Sequence, residues 1–524
     1  MKRRNFFKTA ALGGGILALS PLSSCVQSTP TDKTEPNYTD FELNEVTIGE
    51  LQEKMKSGKI SSAEITQKYM DRIDQVNTQG PKLRAVIEVN PDALKIARRM
   101  DVERKSGNVR SAMHGIPILI KDNIDTGDQM QTTAGSLALV GSPAPDDAAI
   151  VQKLREAGAV LLGKTNLSEW ANFRSTKSSS GWSGRGGQVR NPFSTDRSAC
   201  GSSSGTGSGV SANLCAIGIG TETDGSIVCP SGINGIVGIK PTVGLWSRDG
   251  IIPISHSQDT AGPMARSVTD ASILLGLLAE KNQDYSKYLD VNGLKNARIG
   301  IASEFFGFHS GVDKLMDGAI QKMKACGAIF IENLKFENRT EWGDLEWQVL
   351  ISEFKADLNV YLKTRSGLKV HSLADLIEFN KKNAESELKW FGQEIFEDAE
   401  KTKGLEDKAY LEVLSKVKKL TCEKGIDLLM DQHQLDALIT PTNGPAWTID
   451  LVNGDHFGGG SSEPAAISGY PNISVPAGYV NGLPVGISFF GRAWSECTLI
   501  KLAYAFEQAT KHRKAPGFLK SIVE

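Results

Sequence analysis

Three short segments hold the residues best able to do chemistry. The run Gly115-Ile116-Pro117-Ile118-Leu119-Ile120-Lys121-Asp122-Asn123 delivers one lysine at the end of an apolar stretch. The run Cys200-Gly201-Ser202-Ser203-Ser204-Gly205-Thr206-Gly207 is a glycine/serine loop. The run Gly220-Thr221-Glu222-Thr223-Asp224-Gly225-Ser226-Ile227-Val228-Cys229-Pro230-Ser231 sets a serine directly behind a glycine. A serine hydroxyl is a weak nucleophile and needs a base within hydrogen-bond reach. A lysine can be that base only when neutral, so its free pKa of about 10.4 has to fall. Burial achieves this by disfavouring the ammonium form. Taken singly, each residue also has an ordinary structural reading: Lys121 as a solvated strand end, Ser202 as a turn former, Ser226 as a cap.

Other chemistries leave weaker traces. The seven histidines include no HExxH or other metal-ligand spacing, so no metal is expected. Gly158-Ala159-Val160-Leu161-Leu162-Gly163-Lys164-Thr165 satisfies the phosphate-loop pattern, but its middle four residues are strand-like where that motif needs a flexible loop. Gly201-Ser202-Ser203-Ser204-Gly205 also satisfies the GxSxG elbow, with Ser203 at its centre. His256, His433, His456 and His512 are available to a Ser-His-Asp triad of the α/β-hydrolase kind. That arrangement needs a buried strand just before the elbow, and Asp196-Arg197-Ser198-Ala199-Cys200 is not one.

The elements that must position these residues alternate between helix and strand signals, which argues an α/β fold. Ser61-Ser62-Ala63-Glu64 is a capping box, with Ile60 and Ile65 placed for the hydrophobic staple. Ile65, Tyr69, Ile73 and Val76 then share one helix face. The apolar run 116–120, which stops at Lys121, suits a strand buried on both faces. Residues 85–89, 159–162, 216–219, 236–239, 299–302, 328–331, 435–439, 472–475 and 485–490 read as further strands. Residues 92–105, 150–157 and 497–510 read as helices. Residues 174–263 are dense in Gly, Ser and Pro, the texture of backbone that approaches a ligand. From 280 to 435 the chain turns Lys/Glu-rich, with amphipathic helices expected over 341–363, 373–379, 385–400 and 408–430.

With these blocks in this order, the sequence resembles the amidase signature family over nearly the whole chain beyond its first residues. Lys164-Thr165-Asn166-Leu167-Ser168-Glu169 looks like the family's early strand–helix turn, and Asp436-Ala437-Leu438-Ile439-Thr440-Pro441-Thr442 like its late strand. Gly469-Tyr470-Pro471 and Gly482-Leu483-Pro484-Val485-Gly486 fall in its C-terminal blocks. The resemblance implies that Lys121 is the base, Ser202 the bridging serine and Ser226 the nucleophile. The separations agree with it: 81 residues from Lys121 to Ser202 and 24 from Ser202 to Ser226. It further implies an oxyanion hole of backbone N–H groups at Thr223, Asp224, Gly225 and Ser226, a major share of such catalysis. The implied fold is a single α/β/α domain, a large mixed β-sheet covered by helices on both faces, with 280–435 as a covering layer. The implied reaction is carboxamide hydrolysis to carboxylate and ammonia, with no cofactor.

Two positions depart from the commonest family pattern. Glu222 stands where Asp is usual, and Asp224 where the first glycine of a pair is usual. A carboxylate there repels a developing oxyanion unless it points away. The same Glu-Thr-Asp-Gly-Ser string, followed by Ile-Val-Cys-Pro, resembles the bacterial peptide amidases within the family. Trp182-Ser183-Gly184-Arg185-Gly186-Gly187-Gln188 and Ser247-Arg248-Asp249-Gly250-Ile251-Ile252-Pro253 strengthen that likeness. It implies C-terminal peptide amides as substrates, with Asp224 and Ser203 as the candidate substrate contacts. Small aliphatic or aryl amides, acyl-anilides and a non-catalytic binding role stay open, because a fold does not fix a specificity.

The first residues read as an export segment. Lys2, Arg3 and Arg4 precede a short apolar run, and Arg3-Arg4-Asn5-Phe6-Phe7-Lys8 looks like a twin-arginine signal. Leu22-Ser23-Ser24-Cys25 resembles a lipobox, so Cys25 is the expected lipidation site. The expected organisation is an export signal over 1–24, a tether over 25–40 and an amidase domain over 41–524. This would be a bacterial lipoprotein facing the periplasm, bound to membrane only through its anchor. Twin-arginine substrates fold before export in a reducing cytosol, so the other cysteines are expected mostly free and buried, with Cys200 and Cys229 as packed thiols. His114 is expected to be structural.

Composition agrees with a large globule. Of 524 residues, 40% are apolar and 23% charged, and 53 glycines with 20 prolines exclude collagen-like and low-complexity classes. Fifty-nine basic and 61 acidic side chains leave a net charge of −2, which offers nothing to a phosphate backbone. The expected partner is a small or peptide amide, no nucleic acid, with the protein acting as a monomer.

Overall fold

The computed structural model describes residues 38–522 apart from Asn282 and Asn338. The export signal, Cys25 and nearly all of the tether lie outside the described residues. Eleven strands form one mixed sheet. In chain order they are β1 (Val86–Val89), β2 (Pro117–Lys121), β3 (Val160–Thr165), β4 (Ile217–Glu222), β5 (Val237–Lys240), β6 (Thr260–Ala265), β7 (Arg298–Ala302), β8 (Ile329–Leu334), β9 (Ala437–Pro441), β10 (Asn472–Val480) and β11 (Leu483–Phe490). Across the sheet the order is β1-β3-β2-β4-β6-β5-β10-β11-β9-β7-β8. β3, β2 and β4 run parallel to one another, as do β9, β7 and β8, while the strands between them pair antiparallel.

The apolar runs become strands because both of their faces are covered. β2, β3, β4, β5 and β6 are buried at every position. Adjacent residues show the two faces directly. Ile439 and Phe489 pack in the largest core with Met316 and Met323 of the helix Ser310–Ala325 and Leu499 and Phe506 of the helix Glu496–Thr510. Their neighbours Leu438 and Phe490 pack in another cluster, with Trp342, Tyr410, Leu420 and Met430. This is the α/β/α arrangement expected from alternation along strands.

Local signals near the start act as the sequence implies. Ser61 Oγ accepts from the Glu64 N–H at 3.1 Å, while Glu64 Oε2 accepts from the Ser61 N–H at 2.7 Å, capping the helix Ser62–Arg72. Ile65, Tyr69, Ile73 and Val76 are buried along one face.

The helical layer is more broken than its periodicity predicts. The expected helix over 385–400 splits into Ala384–Glu387 and Glu394–Glu400. Between them Phe391 turns inward, its ring 5.2 Å from Trp182 and 4.4 Å beneath the Arg174 guanidinium. That burial outweighs an uninterrupted hydrogen-bond ladder. The expected helix over 408–430 is interrupted by a wider π-turn at Cys422–Ile426, then continues as Asp427–His433. The layer's own cluster, Phe354, Leu358, Leu376 and Phe396, packs on Trp170, Phe173, Ile252 and Ile254 from the loops around the sheet. Among the described residues, no helix is long and apolar enough to cross a membrane.

Candidate active site

Lys121 ends β2 and is fully buried. Its Nζ lies 2.7 Å from Ser202 Oγ and 2.8 Å from Thr221 Oγ1, and also donates to the Thr221 carbonyl at 3.3 Å. Asn123 Nδ2 donates to the same Thr221 hydroxyl at 3.0 Å, which fixes that side chain. Burial pulls the lysine pKa down to about 7, against the opposing pull of the Asp259 and Glu222 carboxylates. At neutral pH a large fraction of this amine is therefore neutral, as a base requires.

The loop carrying Ser202 is shaped by close contacts that only small residues allow. Its Gly201–Ser202 peptide bond is cis. The Ser202 carbonyl accepts from the Ser168 N–H at 3.1 Å. A side chain at Gly205 would place its Cβ 2.2 Å from the Ala85 carbonyl oxygen and 2.4 Å from that of Asn166. Gly205 therefore lets the helix Ser204–Ser211 begin hard against the sheet edge.

The turn after β4 carries Ser226. Gly225 sits at φ +74, in the left-handed region, so the chain reverses there without strain. Glu222 points away from the turn's open side: its Oε2 accepts the N–H groups of Ile227 at 2.7 Å and Val228 at 2.9 Å, capping the helix Val228–Ile233. These bonds hold the Glu222 carboxylate on the helix N–H groups. Thr223 is held by its hydroxyl, which donates to Asp259 Oδ1 at 2.6 Å. Asp259 Oδ2 accepts in turn from the N–H groups of Ile254 and Ser255, and burial lifts its pKa to about 6. No acceptor among the described residues takes the N–H of Asp224 or Ser226.

Asp224 is unlike its surroundings. Every residue from 198 to 242 is buried except this one, which is exposed. Protein packed around its carboxyl still raises its pKa to about 6, while a hydrogen bond with Ser462 opposes the rise. A cavity of about 50 Å³ lies beside the turn, lined by Asn123, Thr221, Thr223, Arg248, Ile252 and Asp259 among others.

Other expectations need correction. Ser203, a candidate substrate contact, is fully buried: its Oγ donates to the Thr221 carbonyl and accepts from the Thr221 N–H, tying the loop to β4. Cys200 and Cys229 are not separate thiols; they form a disulfide. Their residue types gave no sign of pairing, because pairing depends on the tertiary approach of two loops. Of the free cysteines, Cys215 is buried, Cys326 is exposed, and Cys422 and Cys497 are half-buried.

The competing motifs resolve into structure. Lys164 is buried in β3, donating to the Ile124 carbonyl and the Thr132 hydroxyl. His256 Nδ1 lies 2.8 Å from Asp357, and the exposed His456 faces Asp450. Neither histidine has a serine hydroxyl as a recorded partner. His114 is buried, with Nε2 3.0 Å from the Met100 carbonyl. Thr221 and Asn123 lie inside the quoted runs without a role assigned to them, and Asp259 and Ser462 carry no sequence mark at all. Asn123 lies two residues from the lysine and Thr221 five before Ser226, while Asp259 and Ser462 reach the site only through the fold.

A family model described as Amidase matches residues 64–500. The chain belongs to the amidase family. A probable amidase of Arabidopsis thaliana is 42% identical over 504 residues, spanning 91% of this chain and 93% of its own. The crystal structure of the peptide amidase PAM in complex with the competitive inhibitor chymostatin superposes with a TM-score of 0.89 at 49% identity, covering 91% of this chain and 100% of that one. Native peptide amidase from Stenotrophomonas maltophilia gives 0.87 at 48% identity with the same coverage. This amidase has the amidase signature fold and is a hydrolase acting on amide C–N bonds.

Proposed function

We propose that this amidase hydrolyses carboxamides through an acyl-enzyme on Ser226, with Lys121 acting through Ser202, and that its substrates are C-terminal peptide amides. The observation that carries the reading is the buried Lys121 Nζ, 2.7 Å from Ser202 Oγ and with its pKa lowered to about 7. Neutral Lys121 takes the Ser202 proton while Ser202 takes that of Ser226, and Ser226 Oγ attacks the amide carbon. The turn Thr223–Ser226 holds the oxyanion, with the open N–H groups of Asp224 and Ser226 foremost. The relay then returns the proton to the amide nitrogen, and ammonia leaves. Water attacks the ester with the same relay as base, giving the carboxylate and restoring Ser226. A fluorophosphonate probe followed by peptide mapping should place the label on Ser226; a label on any other serine overturns the mechanism.

The peptide-amide preference is supported by the similarity to peptide amidases and by Asp224, the one exposed residue in a long buried stretch. Above its pKa of about 6 the carboxylate can accept an N–H from the substrate's peptide chain. Asp224→Gly should lower kcat/KM on peptide amides by about 10–100-fold, the worth of a charge-assisted hydrogen bond. An unchanged kcat/KM removes the residue from recognition. Turnover of simple aliphatic or aryl amides, with none of peptide amides, assigns the enzyme to that other substrate class.

The N-terminal reading stands beside this as a proposal: an export signal over 1–24, lipid on Cys25, a tether to residue 40 and the amidase domain from 41 onward, acting as a monomer outside the cytoplasmic membrane. Metabolic labelling with a radioactive fatty acid should mark the protein and fail on Cys25→Ala. Equal labelling of both overturns lipidation at Cys25.

A further inference from the structure

The Cys200–Cys229 disulfide joins the two segments that carry the serines. Cys200 lies two residues before Ser202, and Cys229 three residues after Ser226. The other ties between these segments are hydrogen bonds: Ser203 Oγ donates to the Thr221 carbonyl and accepts from the Thr221 N–H, the Ser203 N–H donates to the Ser226 carbonyl at 3.2 Å, and Asn234 Nδ2 donates to the Ala199 carbonyl at 2.9 Å. The Cys229 N–H bonds the Gly225 carbonyl at 2.9 Å, which links the half-cystine to the turn that carries Ser226. On the other side the Cys200 N–H bonds Ser198 Oγ at 3.1 Å, and the Ser198 N–H bonds the Trp447 carbonyl at 2.8 Å. Phe193, Ile233, Ala446, Trp447 and Leu483 pack around the bridge.

We propose that this disulfide is a positioning device for the reaction, fixing Ser202 against Ser226, so that the oxidised protein is the fully active form. The inference rests on the serine roles proposed above. A small misplacement of reacting groups costs far more in rate than in binding. The four-glycine content of the Ser202 loop and its helix, Gly201, Gly205, Gly207 and Gly209, leaves that backbone little side-chain packing of its own to hold it. A covalent tie replaces what side chains do elsewhere. Thiol–disulfide exchange undoes the tie: a dithiol gives two electrons and two protons, becomes a disulfide, and leaves Cys200 and Cys229 as thiols.

The test compares the untreated protein, the protein reduced with dithiothreitol, and Cys200→Ser/Cys229→Ser, with thiol state read by alkylation and mass spectrometry. The bridge is buried, so reduction is carried out to completion before assay, and the double variant reaches the open state independently of access. The expected result is a loss of about tenfold or more in kcat with KM within about twofold, in both reduced and variant proteins. Reoxidation with glutathione disulfide should restore the reduced protein and leave the variant unchanged. Melting curves are taken on all three. Equal kcat in the three proteins overturns the inference. So does a loss of kcat seen only where the protein has melted, or alkylation of both cysteines in the untreated protein. Ser226→Ala keeps the two readings apart. If that variant is inactive while reduction has no effect, only the positioning role falls; if it retains full activity, the serine assignment falls first.

Discussion

The segment 198–242 and the helical layer 342–433 are built on opposite plans. In the first, small residues let backbone meet backbone, and the positions of functional atoms are set by main-chain hydrogen bonds and one disulfide. In the second, large side chains do the holding: Phe354 packs 5.0 Å from Phe173 and 5.4 Å from Phe396, and Trp342 packs 5.2 Å from Phe336. One plan gives accuracy with little redundancy, and the other gives cohesion that tolerates breaks such as the one at Phe391. Damage to the first should therefore appear in rate, and damage to the second in stability.

The sharpest test of that contrast is Ser226→Ala, which should cut kcat on the order of 10⁴-fold or more while leaving the melting transition close to the parent's. A large drop in melting temperature would show that this segment also carries the fold. Arg174→Ala comes next. Arg174 lies 2.9 Å from Glu169 and 3.7 Å from Glu387, all three buried, and so joins the loop before the Ser202 segment to the helical layer. Removing it leaves buried carboxylates without their cation, and should cost about 3–5 kcal/mol in denaturant unfolding. Phe354→Ala should cost a similar 3–5 kcal/mol by opening a cavity. Below the melting transition its kcat/KM should match the parent's, and a tenfold fall in rate would blur the division between the two plans.

The smallest effect expected is on pH dependence. The base proposed above, Lys121, can act only when neutral, so on that proposal activity should rise with pH through about 7 and fall on the acid side. The Asp259 carboxylate favours the ammonium form and raises that pKa. Asp259→Asn removes the charge, so the acid limb of kcat/KM should move to lower pH. A displacement to higher pH would mean that Asp259 acts chiefly through its hold on Thr223.

What was legible in the sequence follows the same division. The strands ending at Lys121 and Lys240 are local apolar runs, and their burial needs no knowledge of the rest of the chain. The proposed Lys121–Ser202–Ser226 set draws on three motifs that occur in order; no single one identifies a site. Asp259 was invisible, since a lone aspartate in Ser257-Gln258-Asp259-Thr260 has no periodicity or spacing to mark it. The expectation of free thiols rests on compartment, while pairing depends on two loops meeting in space. The helical pattern over 385–400 takes in Phe391, but its inward turn is decided by Trp182 and Arg174, more than 200 residues away in the chain.

Asp224, alone in reaching solvent from a buried passage, also matters for how such an enzyme can diverge. Within that passage almost any substitution must displace a neighbour, so drift is closed off in both sequence and function. Position 224 escapes part of this constraint: its side chain reaches solvent, and a change there is felt first by Ser462 and the neighbouring carboxylates. Natural variation and laboratory selection for a new substrate therefore have an entrance to this part of the protein at position 224, two residues from Ser226.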